Sequence, residues 1–109
     1  MQITNKTTQF NFSKDIAGTD CVNYGDVSQN QDLTVDLVFA GDKLEYVKLI
    51  TTCGCSVAHA EKSTIDYQWE GAVRYKAETL GTFSKVIIVR YKENGKDLET
   101  KIKLKGNVK

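Results

Sequence analysis

The chain has 109 residues, 40% hydrophobic and 27% charged, with no proline and a formal net charge of +1. That length points to one domain able to bury a small core of its own, and the composition is that of an ordinary globular protein. A near-neutral balance supplies no global field of the kind that draws a protein to nucleic acid or to an anionic membrane. No apolar run approaches the ~20 residues of a spanning helix.

The opening stretch, Met1 to Gln9, lacks the apolar segment of a secretory leader, and the three cysteines are an odd number. Together these predict a chain made in a cytoplasm with reduced thiols. Residues 1–7 read as an N-terminal arm.

Gly, Asn and Asp punctuate the sequence about every ten residues and helical periodicity is absent, which is the spacing of an all-β protein. Thr8 to Ser13 alternates, with Phe10 and Phe12 on one face. Cys21 to Val27 reads as a short edge strand bent at Gly25-Asp26, with Tyr24 available to the core. Asp32 to Ala40 is a strand with Leu33, Val35, Leu37 and Phe39 on its buried face. After Gly41-Asp42 the chain returns as Leu44 to Thr51 and runs into Cys53-Gly54-Cys55.

Ala58 to Ser63 reads as a loop. Thr64 to Trp69 alternates, with Ile65, Tyr67 and Trp69 together, and Gly71 breaks it before a strand carrying Val73, Tyr75 and Ala77. Val86-Ile87-Ile88-Val89 predicts a central strand buried on both faces. Asn94-Gly95 between apolar runs predicts a type I′ hairpin, since both residues tolerate positive φ. The last strand, Leu98 to Leu104, points Leu98, Thr100, Ile102 and Leu104 inward and lysines outward. Seven or eight antiparallel strands in one domain, 1–109, predict an immunoglobulin-like β-sandwich, with a small Greek-key barrel as the alternative.

The order Tyr24-Gly25-Asp26-Val27, then Leu49-Ile50-Thr51-Thr52-Cys53-Gly54-Cys55-Ser56-Val57, resembles a bacterial domain-of-unknown-function family with a Cys-Gly-Cys-Thr hallmark. Leu80-Gly81-Thr82-Phe83 and the closing Leu104-Lys105-Gly106-Asn107-Val108 extend the likeness over most of the chain. Ala58-His59-Ala60 and Glu70-Gly71 depart from it, standing where the family carries prolines. The resemblance implies an immunoglobulin-like fold and a binding or structural role, with no catalytic residues to carry over.

Four residues have side chains suited to a metal: Cys21, Cys53, Cys55 and His59 would make a Cys3His set for zinc. The Cys-x-Cys-x3-His spacing is unlike common zinc motifs, so packing of small cysteines around a Gly54 bend is the preferred reading, and no cofactor is expected. A Cys–His nucleophile would need an oxyanion hole that nothing in the sequence marks, and no phosphate loop or nucleophile elbow is present. The expectation is therefore not an enzyme.

Lys101, Lys103 and Lys105, with Lys96 and Lys109, form a basic stripe. Such a stripe can meet an acidic protein, but lysines also guard edge strands against pairing, and that reading is preferred here. No aromatics alternate with them as a nucleic-acid platform requires. Trp69 is a possible partner anchor or a core plug, and Tyr67 and Tyr75 are further candidate anchors. These features predict a non-enzymatic module whose partners are proteins, most simply an accessory or decoration protein of a larger assembly such as a phage capsid, located in the virion. A cell-envelope or secreted interaction domain is the alternative, and a small metal-binding or redox protein a third.

Overall fold

The protein is seen in a computed structural model that describes residues 1–7, 10–52 and 56–109. The described residues form nine strands and no helix: β1 (Gln2–Asn5), β2 (Asn11–Lys14), β3 (Asp20–Val27), β4 (Asp32–Ala40), β5 (Leu44–Thr51), β6 (Ser56–Lys62), β7 (Gln68–Lys76), β8 (Gly81–Glu93) and β9 (Lys96–Val108). They build two sheets, a four-stranded one in the order β1-β4-β7-β6 and a five-stranded one in the order β2-β3-β9-β8-β5. All strand pairs are antiparallel except β3 with β9, which run parallel. The arrangement is all-β and sandwich-like.

Alternation builds the core. Leu33, Val35, Leu37 and Phe39 of β4 lie at 0–1% exposure and face Val22, Tyr24, Ile87, Val89, Ile102 and Leu104 of the other sheet in one apolar cluster. Each such side chain contributes about 1.5–3 kcal/mol by leaving water. In β5 the register shifts between Leu44 and Tyr46, and this bulge turns both Leu44 and Val47 inward although they stand three apart. At one end of the core Phe10, Tyr24, Phe83 and Tyr75 stack in succession, with ring centroids 4.6–6.0 Å apart. Burial raises the pKa of the Tyr24 phenol, and Tyr75 beside it adds to the rise.

The Asn94-Gly95 hairpin forms as its sequence predicts: Glu93 pairs with Lys96, and the two residues between have φ of 53° and 75°. Other readings are corrected. Within the 1–7 arm, Gln2–Asn5 is an edge strand paired with β4, and the main-chain N–H of Asp36 donates to the Thr7 hydroxyl. The loop expected from Ala58 to Ser63 is mostly strand β6, whose half-buried Ala58 and Ala60 alternate with exposed His59 and Glu61. Alanine's weak strand preference hides that period-two pattern.

Thr64 to Tyr67 is the hairpin loop, not a strand: the N–H of Gln68 donates to the Ile65 carbonyl, and Ile65 and Tyr67 are more than half exposed. Gly71 does not interrupt β7. It sits within it, where a Cβ would lie 2.8 Å from the Phe39 ring, 3.1 Å from the His59 carbonyl oxygen and 3.2 Å from Leu49. Leu98 points inward but is 41% exposed, because β3 pairs with β9 only from Ile102 onward and leaves that flank open. In β8, Ile87 and Val89 are buried while Val86 and Ile88 are only half-buried on the outer face.

Two stability outcomes follow from this packing. Gly71→Val should cost about 1–3 kcal/mol by overpacking against Phe39 and Leu49, read as a lower midpoint in urea with an unchanged m-value. Tyr67 holds a left-handed φ of 60° that a bulky residue adopts only at a cost. Tyr67→Asn should therefore raise stability by about 1 kcal/mol in the same assay.

Candidate interaction surface

The lysines of β9 alternate with its core residues. Ile102 and Leu104 are fully buried, so Lys101, Lys103 and Lys105 stand on the outer face of the five-stranded sheet, the first and last of them exposed and Lys103 half-buried. β9 is the middle strand of that sheet, with β3 on one side and β8 on the other. The edge-guard reading does not account for Lys103 and Lys105, which β3 and β8 flank; it fits only Lys96 and Lys101, on the part of β9 that β3 leaves unpaired. Lys96 stands at the hairpin, out of phase with the three, and Lys109 lies 2.9 Å from Asp26.

The neighbouring strands extend this face with charges the stripe alone does not reveal. Lys101 is in register with Ile88, Lys103 with Val86 and with Cys21, and Lys105 with Ser84 and Asn23. Lysines in register beside Val86 and Ile88 have aliphatic stems able to cover apolar residues on an outer face. Farther along, Arg90 pairs in register with Lys48 of β5 and with Glu99 of β9, the latter also an ion pair at 3.2 Å. Lys92 approaches Glu45 at 3.9 Å and Lys14 meets Asp20 at 3.0 Å. Among the described residues, Lys48, Lys101 and Lys105 make no ion pair.

Lys103 is steadied by Asp15, whose Oδ2 lies 3.5 Å from its ammonium. The other oxygen of Asp15 accepts from the N–H groups of Ala17 and Thr19, each at 2.9 Å, and closes a loop that turns through Gly18 at φ 81°. The Thr19 N–H chiefly, with Lys103 adding to it, holds the Asp15 carboxyl below the usual carboxylate range.

Beside Lys103 and Lys105 the face opens into a groove of about 460 Å³ lined also by Asn23, Ser84, Phe83 and Asn107. Two glycines shape it. Gly25, at φ 68°, sits where the β3–β9 register shifts between Asn23 and Asp26, a bulge that re-aims the strand. Gly106 lies beneath Phe83, and a Cβ there would come within 3.0 Å of both that ring and the Gly25 carbonyl. At the rim, Lys109 first and the Asn107 amide second lower the pKa of Asp26.

The remaining sequence candidates are dispersed. Trp69 lies half-buried in β7, in register with Phe39 and packed against the core, which is the position of a plug. Tyr75 is buried, whereas Tyr67 is exposed in the β6–β7 loop. Cys21 is buried but out of phase with the core residues Val22 and Tyr24 on the five-stranded sheet, whereas His59 is exposed on the outer face of the four-stranded sheet. A zinc set drawing on both would have to join opposite sides of the sandwich, so the geometry does not assemble it. Cys53 and Cys55 lie outside the described residues. Among the described residues no three His, Cys, Asp or Glu side chains converge as metal ligands.

Lys48, Arg90 and Asp15 are the members of this face that inspection of the lysine stripe misses. Lys48 and Arg90 were findable, because each alternates with the buried residues of its own strand. Asp15 was not, because only the folded loop brings it to Lys103. No family model, curated protein or solved structure matches this chain.

Both carboxyls, Asp15 and Asp26, should titrate below an ordinary aspartate when followed by side-chain carbonyl NMR. With folded-state pKa values depressed, their contribution to stability is present above the usual carboxylate range and is lost as pH falls through the folded-state values. Lys109→Ala should move Asp26 upward and leave Asp15 in place.

Proposed function

We propose that this chain is an immunoglobulin-like, non-enzymatic binding module that docks onto an acidic protein surface through the outer face of its five-stranded sheet. The strand order supports the immunoglobulin-like assignment. If β1, β4, β5, β6, β7, β8 and β9 are lettered A to G, the sheets read ABED and CFG, the order of a constant-type domain. Strands β2 and β3 then extend the second sheet beyond its last strand.

The observation that carries the reading is the position of Lys101, Lys103 and Lys105 on the middle strand, with Lys48 and Arg90 on the strands alongside. Clustering like charges in the middle of a sheet weakens the fold slightly. Edge protection does not account for Lys103 and Lys105, which have strands on both sides, and a selected function on that face does. Cations presented by rigid strands steer an acidic partner and fix its register more than they add raw affinity. A module of this kind suits an accessory role in a larger assembly, such as a decoration protein cementing the subunits of a phage capsid.

The test is an NMR titration with poly-glutamate at low salt, with a DNA duplex in a parallel arm. Amide shifts should centre on Lys48, Arg90 and Lys101 to Lys105, and should weaken as salt shortens the screening length to about 8 Å. The triple variant K101E/K103E/K105E should bind at least about tenfold more weakly with its fold intact. Shifts scattered over both sheets, or tighter binding to DNA than to the acidic polypeptide, would overturn the reading.

A further inference from the structure

Among the described residues, three of the four edge strands of the sandwich are short or bulged, and the fourth is neither. β1 and β2 are only four residues long, and β5 is bulged between Leu44 and Tyr46. Short edges and bulges are both recognised guards against strand addition. β6 has seven residues, no proline, and a register with β7 that runs unshifted from Ser56 to Lys62. Its core-side residues within that run are Ser56, Ala58, Ala60 and, at the far end, Lys62, so the one inward-side charge lies at the end of the strand and its middle carries none. Among the described residues β7 is the only strand hydrogen-bonded to it.

The charges on this edge are also unsatisfied. Exposed Glu61 stands directly opposite Glu70 of β7, a like-charge pair that disfavours the sheet. Glu70 has Lys6 at 3.7 Å, whereas Glu61 has no ion pair among the described residues. Exposed His59 lies two residues away on the same face.

We propose that β6 pairs antiparallel with β6 of a second copy of this chain, about a twofold axis at Ala60, so that each His59 stands opposite the other copy's Glu61. Geometry narrows the choice of register. A twofold axis normal to the sheet keeps both outer faces on one side, and residues paired directly across strands share a face. The axis must therefore pass at a residue rather than between two.

With the axis at Ala58, His59 faces Val57. With the axis at His59, the two imidazoles oppose each other and Glu61 faces Val57. With the axis at Ala60, Glu61 gains an imidazole donor on the side away from Glu70, twice over, and two small alanines meet at the centre. The two four-stranded sheets then become one continuous eight-stranded sheet, its outer hydrogen-bonding edge closed by main-chain bonds in the manner of strand addition.

Sedimentation velocity from micromolar to millimolar concentration, under reducing conditions to exclude intermolecular disulfides, tests the pairing. The chain should associate to a dimer, and amide exchange in β6 should slow as it does so. Glu61→Lys should weaken dimerisation about tenfold or more, since two attractive pairs become two unfavourable ones. The swap H59E/E61H should restore it, and K101E/K103E/K105E, on the other sheet, should leave it unchanged. A monomer at every concentration overturns the proposal. So does a dimer indifferent to Glu61→Lys in a folded variant, or a swap that fails to recover association.

Discussion

The flanking of β9 on both sides is the constraint from which the rest of this fold is set. β8 holds it antiparallel over its whole length, and β3 holds it parallel from Asp20 opposite Ile102 to Val27 opposite Val108. A strand pinned from both edges cannot slip by one residue without turning Ile102, Leu104 and Val108 out to solvent and three lysines into the core. The same pinning fixes which way the cations point. Core formation and the presentation of Lys101, Lys103 and Lys105 are thus one event.

The parallel β3–β9 pair is the costly part of this arrangement. It joins residues 20–27 to 102–108, so nearly the whole chain must be in place before it closes. It is also where the sheet is least regular. The Gly25 bulge lets β3 rejoin β9 at Asp26 opposite Asn107, and Gly106 leaves room for the Phe83 ring to cover the gap. The groove beside Lys105 is the outward trace of that adjustment, and the aromatic stack from Phe10 to Tyr75 is its inward support.

What the sequence discloses follows from how strongly each residue's side chain depends on its neighbours. β4 was legible to the residue, because Leu33, Val35, Leu37 and Phe39 alternate with polar residues and both its flanks are paired. The Asn94-Gly95 turn was legible because only a few residues tolerate its dihedrals. β6 was not, since Ala58 and Ala60 carry too little apolar surface to mark a face. Tyr67 misled for the opposite reason, its chance alternation with Ile65 and Trp69 imitating a strand across a hairpin loop. The lysine stripe was visible but its meaning was not, because alternation says which face a residue takes and nothing about which strands lie beside it.

That last distinction also governs the two surfaces. On an edge, a lysine is explained by the neighbour it repels, and at Lys103 and Lys105, flanked on both sides, that explanation fails. β6 presents the converse case: an edge of seven residues without a bulge, and a glutamate facing another glutamate. The five-stranded sheet ends instead in short β2 and bulged β5, both features that discourage strand addition. The two surfaces proposed above thus differ in chemistry and lie on separate sheets. One presents side-chain cations on a sheet face and the other main-chain donors and acceptors along a strand edge, so occupation of one, as proposed, would leave the other accessible.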